Sequence, residues 1–405
     1  MSELAPPRDL TIPDPGSSTA RDVLSRAIGR LLREIRPLVR AHARLAPAAD
    51  VEAFDRVLLE MLRRHVGPLA SVLRRPNVAA LVRTLRRPVS GPDAGLLCEL
   101  MGLVCLELAV MGELPFEVRL RRFPRRALSM AARLALDLPE DLDMVVLESG
   151  RMQILRAGEA RSIDLAALRD GGQTPGLRRP FRAIDGGTWL AIEDNNPNAL
   201  DEAHPDKSGN AVDLGGASLD AWVASLESAF ALVEAHLPDL RAEMDVYLSQ
   251  IVPVGVFDTK HLSASYQEAI GTIYLSLHPN PMTMTEALIH EFQHNKLNAL
   301  FELDDVLENA FSPLYPSPVR PDPRPLHGVL LAVHAFLPIA RLYEQMRVAG
   351  HPHAEHASFK GRFDDIVAIN REGADVVLEH GVPTPIGAGL LDEIRRWDGH
   401  YRCGE

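Results

Sequence analysis

The chain has 405 residues, 46% of them apolar, enough to bury a sizeable core in two domains or in one large domain with a helical annex. A net charge of -12 and a pI near 5.7 leave no general cationic face for nucleic acid or an anionic membrane, and favour a cationic partner instead. Cys98, Cys105 and Cys403 make no disulfide framework, and neither a secretory signal nor an uncharged apolar run of about 18 residues occurs. A cytoplasmic protein that does not span a membrane is expected.

Residues 1–18, rich in Pro, Ser and Asp, read as a flexible tail. From 19 to 140 apolar residues recur at three and four, as in DVLSRAIGRLLREIRPLVRAHARL and AGLLCELMGLVCLELAVMG. This predicts a helical N-terminal region whose arginines sit on solvated faces. A second module is expected over 141–405. It opens with β-like runs, DMVVLES, RMQILRA and TWLAIED, and passes through the polar loop DNNPNALDEAHPDKSGNAVDLGG. A helix over 218–248 follows, with Trp222 and Phe230 on one face, then strands in SQIVPVGVF and GTIYLSL. Helices over 283–303 and 326–349 and two more near the C-terminus complete the reading. The fold class is α+β: mainly helical, with a small sheet before the helix of 283–303 and a helical N-terminal region.

That helix carries His290-Glu291-Phe292-Gln293-His294. Two histidines at i and i+4 lie one turn apart on the same side, so their imidazoles converge on one metal ion. Glu291 lies about 100° round the helix, where in metallopeptidases it acts as the base on the attacking water. Thr283 and Glu286 suggest a capping box, with Pro281 just outside it. The five-residue pattern also arises by chance, so its weight comes from the strand-like run before it and the length of the helix.

A catalytic ion needs a further protein ligand and open positions. The extended metallopeptidase pattern requires Gly at 297 and His at 300, and this chain has Leu297 and Leu300. Glu302 and Glu308 lie on or just after the same helix and turn back poorly. On the next helix His327 and His334 are seven apart, hence on one face. His334 is preferred as third ligand because it sits in the apolar run GVLLAVHAFLPIA, where an imidazole wants a partner; a core histidine satisfied by a neighbour fits that pattern as well. His327 is the alternative ligand or a supporting group. The cluster His351, His353 and His356 reads as a solvated turn.

The block LHPNPMTMTEALIHEFQHNKLNALFELD, with SPVRPDPRPLHGVLLAVHAF and NNPNALDEAHPDKSGNAVDLGG, resembles the HExxH-motif family of peptide-modifying proteins in ribosomal peptide natural-product biosynthesis. The likeness covers roughly residues 140–380. It implies a stand-alone iron(II)- and 2-oxoglutarate-dependent dioxygenase that uses O2 to hydroxylate a β-carbon in a precursor peptide, with another peptide-modifying enzyme as a further partner. His290 and His294 match the motif ligands, and His334 is taken as the third. A co-substrate carboxylate would need a guanidinium, for which Arg324 and Arg341 are the candidates. The alternative is a zinc peptidase or amidase in which Glu291 is the general base.

Overall fold

The computed structural model describes residues 4–86, 93–199, 203–204, 207–208, 211–255 and 261–403. Five helices come first: α1 (Thr19–Ala41), α2 (Ala48–Arg64), α3 (Val66–Arg74), α4 (Pro76–Arg86) and α5 (Ala94–Met111). The apolar sequence of α5 buries it on nearly every side. Asp93 caps its first turn by accepting the Gly95 N–H, and Gly112 ends it at φ 77°, a conformation that costs glycine little.

Strands begin directly afterwards rather than near 140. They are β1 (Val118–Leu120), β2 (Arg126–Ser129), β3 (Leu134–Asp137), β4 (Met144–Glu148), β5 (Arg151–Arg156) and β6 (Glu159–Asp164), followed by α6 (Leu165–Arg169) and β7 (Leu177–Arg178). The two antiparallel sheets have orders β1-β4-β5-β6 and β2-β3-β7. Because β1 pairs with β4, the expected boundary between 140 and 141 would cut one sheet in two. Strands of three and four residues are too short to show a period of two, which hid them in the sequence.

The tail is also corrected. Leu10 and Thr11 are fully buried, and the Thr11 and Ile12 N–H groups donate to the Glu393 carboxylate at 2.9–3.0 Å. Residues 4–18 thus form a strap. The apolar pair inside DLTIP outweighs the Pro- and Asp-rich composition around it.

The rest of the chain supplies β8 (Phe181–Ala183), β9 (Trp189–Ala191), β10 (Ala203–His204), β11 (Lys207–Ser208), α7 (Leu219–His236), α8 (Pro238–Tyr247), β12 (Gln250–Pro253), β13 (Ser263–Ala264) and β14 (Thr272–Leu275). After these come α9 (Pro281–Phe301), the hairpin β15 (Leu314–Ser317) and β16 (Arg320–Pro325), α10 (Leu326–Val348), α11 (Ala357–His380) and α12 (Pro385–Cys403). Trp222 and Phe230 are both buried, but the helix over 218–248 is two helices. Pro238, with no N–H, occupies the first position of the second. The sheet before α9 has the order β13-β14-β12-β9-β8, with β14, β12 and β9 parallel and the two outer strands antiparallel.

Two large cores result. One gathers buried residues between Leu31 and Leu168; the other joins Leu10 to Ala27 with residues from Ile184 to Ile394. Helix α1 serves both, with Val23, Leu24 and Ala27 in the second core and Leu31, Ile35 and Val39 in the first. Helices α5 and α10 are long and apolar enough to cross a membrane, yet 78% and 72% of their apolar windows are buried inside the protein. They are core helices. The fold is α+β and mainly helical, with the small sheet directly preceding α9.

Candidate metal centre

Helix α9 begins at Pro281, where the Asn280 side chain accepts the Met282 N–H at 2.9 Å. The expected capping box does not form. Glu286 instead accepts from the Tyr343 hydroxyl at 2.5 Å and from Arg362 at 2.6 Å. The helix is held against the sheet by Asn295, whose Nδ2 donates to the Thr272 and Glu291 carbonyls and whose Oδ1 accepts the Gly271 N–H. Ser265 Oγ donates to the same Glu291 carbonyl at 3.0 Å. On another face Gln293 donates to the Thr11 carbonyl of the strap, and the Lys296 ammonium pairs with Glu243.

These contacts fix where the motif side chains emerge. One donor atom each from His290, Glu291 and His294 lie within 4.8 Å of one another. The two rings stand edge to face with centres 4.5 Å apart, and Phe336 of α10 closes on His290 at 5.1 Å. Burial, and after it the neighbouring imidazole, lowers His290 to about 4; burial and then His327 lower His294 to about 4. At neutral pH both rings are therefore uncharged, the state in which imidazole is a ligand. Glu291 is buried, and neither its Oε2 nor His294 Nδ1 has a hydrogen-bond partner. Two neutral imidazoles beside an unpartnered carboxylate oxygen fit a divalent cation, which supplies the charge that the buried carboxylate lacks.

His334 is fully buried, as its apolar setting predicts, but it does not join this group. Its ring lies beside the Leu10 backbone of the strap and senses Lys296 before His294; burial comes first in pushing its titration well down. Neither ring nitrogen makes a well-formed hydrogen bond. His327 is half-buried between the rings of Phe301, at 4.4 Å, and Phe311, at 5.1 Å. Helices α9 and α10 run antiparallel, since Tyr343 meets Glu286 while His327 meets Phe301. In that register His334 comes level with His294 and Asn295, although it is not part of the donor group gathered within 4.8 Å, and His327 comes level with Phe301, beyond the motif.

The arginines are placed elsewhere. Arg324 is in the β15–β16 hairpin, 42% exposed and paired with Asp322 at 3.0 Å. Arg341 pairs with Glu344 at 2.7 Å and lies over the Trp397 ring at 5.5 Å. The guanidinium bonded to the motif side of α9 is that of Arg362, which clasps Glu286 one turn before His290. Arg362, Tyr343 and Phe336 were not singled out from the sequence, where nothing links α11 to a helix some seventy residues earlier. The polar segment DEAHPDKSGN, with Asp201, Glu202, His204, Asp206 and Lys207, lies outside the residues whose side chains are described.

No protein-family model matches the chain, and no curated protein matches it either.

Proposed function

We propose that this protein is an iron(II)- and 2-oxoglutarate-dependent oxygenase that hydroxylates a β-carbon in a ribosomally made peptide. The observation that carries the reading is the donor set: two histidines and one carboxylate gathered within 4.8 Å. Two histidines with one carboxylate on one face, leaving positions open, is the ligand pattern of non-haem iron oxygenases. The family likeness supplies the peptide and the co-substrate.

His290 and His294 would hold the ion, with Glu291 as the third ligand in place of His334. Bound iron would supply the activation of O2 by a 2-oxo acid. The chain's own residues keep the site geometry: Asn295 and Ser265 pin the Glu291 backbone, and Phe336 limits the swing of His290. Arg362 is the guanidinium suited to a co-substrate carboxylate, since it already presents two nitrogens to Glu286 and is 41% exposed.

A second reading, a zinc-dependent peptidase or amidase, is favoured by the unpartnered Glu291 Oε2, which a hydrolase needs as a base. Mass separates the two, because hydroxylation adds one oxygen to an intact peptide and hydrolysis splits it. Anaerobic addition of iron(II) and then 2-oxoglutarate is expected to give a weak visible charge-transfer band, and addition of peptide and O2 to give succinate. Absence of both, with peptide cleavage by the zinc-loaded protein, would overturn the oxygenase in favour of the hydrolase.

A further inference from the structure

The hairpin of β5 and β6 is closed by two residues, Ala157 and Gly158, with φ of 51° and 81°. A two-residue loop of this hand makes Arg156 and Glu159 the first hydrogen-bonded pair of the ladder. The pairs then alternate: Ile154 with Arg161 and Met152 with Ile163 exchange bonds, while Leu155 with Ala160 and Gln153 with Ser162 turn their backbone groups away from each other. On β5 those groups meet β4, whose approach lets the Leu155 carbonyl accept the Asp143 N–H at 2.8 Å. On β6 they meet no strand. The N–H and C=O groups of Ala160 and Ser162 point outward from the edge of the β1-β4-β5-β6 sheet and make no hydrogen bond among the described residues, and both residues are exposed.

Folds ordinarily blunt such an edge, with short strands, prolines, bulges or charge. Among the described residues every other strand that ends a sheet runs four residues or fewer, except β16, which carries Pro321, Pro323 and Pro325. Strand β6 runs six residues in unbroken register with no proline or lysine. Its guard is charge. Glu159 and Asp164 stand exposed at its two ends, while Arg161 between them is half-buried on the face that Ile163 turns to the core. Carboxylates at both ends repel an edge of like charge, and a second copy of this chain, itself at -12, brings such an edge. A cationic strand is attracted instead.

We propose that the β6 edge docks a cationic, extended segment of the peptide on which the α9 centre acts, added as a fifth strand beside Ala160 and Ser162. Main-chain hydrogen bonds hold the segment, and its alternate side chains lie along the exposed face of the sheet. Naming the substrate peptide rests on the function proposed above; the open edge does not. Through Ile163, β6 belongs to the first core, whereas α9 packs in the second. The docked segment is therefore separate from the residue that reacts, and holding it raises the local concentration of the rest of the peptide.

Fluorescence anisotropy with a labelled peptide of alternating lysine and valine, about eight residues long, tests the edge directly. The unsubstituted protein is expected to bind it, and to bind the glutamate–valine counterpart at least about tenfold more weakly. Ser162→Pro spares the β5 ladder, to which Ser162 gives no bond, but removes an outward N–H. It should weaken the lysine peptide by about tenfold or more, with melting temperature and α9 metal content unchanged. Glu159→Lys, at an exposed position, should weaken the lysine peptide by about threefold and strengthen the glutamate one. For a peptide that the protein turns over, Ser162→Pro should raise KM by about tenfold.

No binding of the lysine peptide by the unsubstituted protein, or binding indifferent to both substitutions, overturns the proposal. So does a dimer in sedimentation that Ser162→Pro dissolves, which would make a second copy the occupant. Edge-dependent binding without succinate formation would remove the oxygenase and leave the docking edge standing.

Discussion

At the residue scale, Glu291 and His334 make opposite predictions. If Glu291 is the third ligand, Glu291→Gln should weaken iron(II) or cobalt(II) binding by at least about tenfold, because an amide carries no charge to offset the ion. His334→Gln should leave one ion bound per chain, since His334 lies against the strap rather than with the donor group. Equilibrium dialysis of both variants decides the point. Loss of metal in His334→Gln with retention in Glu291→Gln would restore His334 to the ligand set and return Glu291 to the role of a base. The same histidines set an acid limit. His261, His290 and His294 are each lowered to about 4, so between pH 6.5 and 4 the unfolded chain binds protons that the folded chain refuses. Stability contributed by the neutral rings is present above about 6.5 and is lost as pH falls. Glu393 acts in the opposite sense: burial raises it to about 7, so it stabilises the fold below its unfolded pKa and loses that contribution as pH rises through 7. Among the described residues seven imidazoles are lowered, His236, His327, His334 and His351 besides His261, His290 and His294, against four raised carboxyls, Glu99, Asp194, Glu243 and Glu393. The imidazoles therefore set the sign in the shared window. The melting temperature of metal-free protein should therefore fall steadily from pH 6.5 to 4.5, and a flat or rising profile would refute this account.

At the element scale, the strap is the clearest case of a segment held by one side chain. Glu393 on α12 accepts both the Thr11 and Ile12 N–H groups, and Gln293 on α9 donates to the Thr11 carbonyl. Glu393→Ala leaves two buried donors without partners, at a cost of roughly 2–4 kcal/mol. A shift of less than 1 kcal/mol in urea unfolding would mean that the strap is not anchored there. The sequence disclosed some of this architecture and hid the rest for physical reasons. Long amphipathic or apolar periods made α1, α2, α5, α9 and α10 legible, and the i, i+4 histidines were legible because the spacing is internal to one helix. The strap was hidden because its buried residues, Pro7 and Leu10 to Pro13, include only two apolar aliphatic side chains in a polar, Pro-rich stretch, and the partner of the Thr11 and Ile12 N–H groups lies some 380 residues away. Arg362 and Tyr343 were hidden likewise, since tertiary pairing with Glu286 leaves no local period. Capping logic at Thr283 failed because Asn280 followed by Pro281 starts the helix two residues earlier.

At the scale of the whole molecule, the question is whether the metal-binding half is a unit of its own. A division at 141 follows the apparent change in sequence texture, but three features argue against it. Strand β1 pairs with β4 across that point, Val23, Leu24 and Ala27 of α1 pack in the same core as Phe292 and Leu297 of α9, and Arg86 of α4 joins Glu302 just beyond the end of α9 at 2.9 Å. Removing residues 1–140 would expose the inner face of that core, strip β4 of a neighbour and leave Glu302, 4% exposed in the intact chain, without its guanidinium. Buried ion pairs broken on one side cost about 3–5 kcal/mol, a large part of the net stability of an ordinary domain. A fragment of residues 141–405 is therefore expected to lack a cooperative thermal transition and to bind no metal stoichiometrically, whereas the full chain does both. A soluble 141–405 fragment that melts cooperatively and holds one ion would show that the helical N-terminal region is an addition to the catalytic module rather than part of its core.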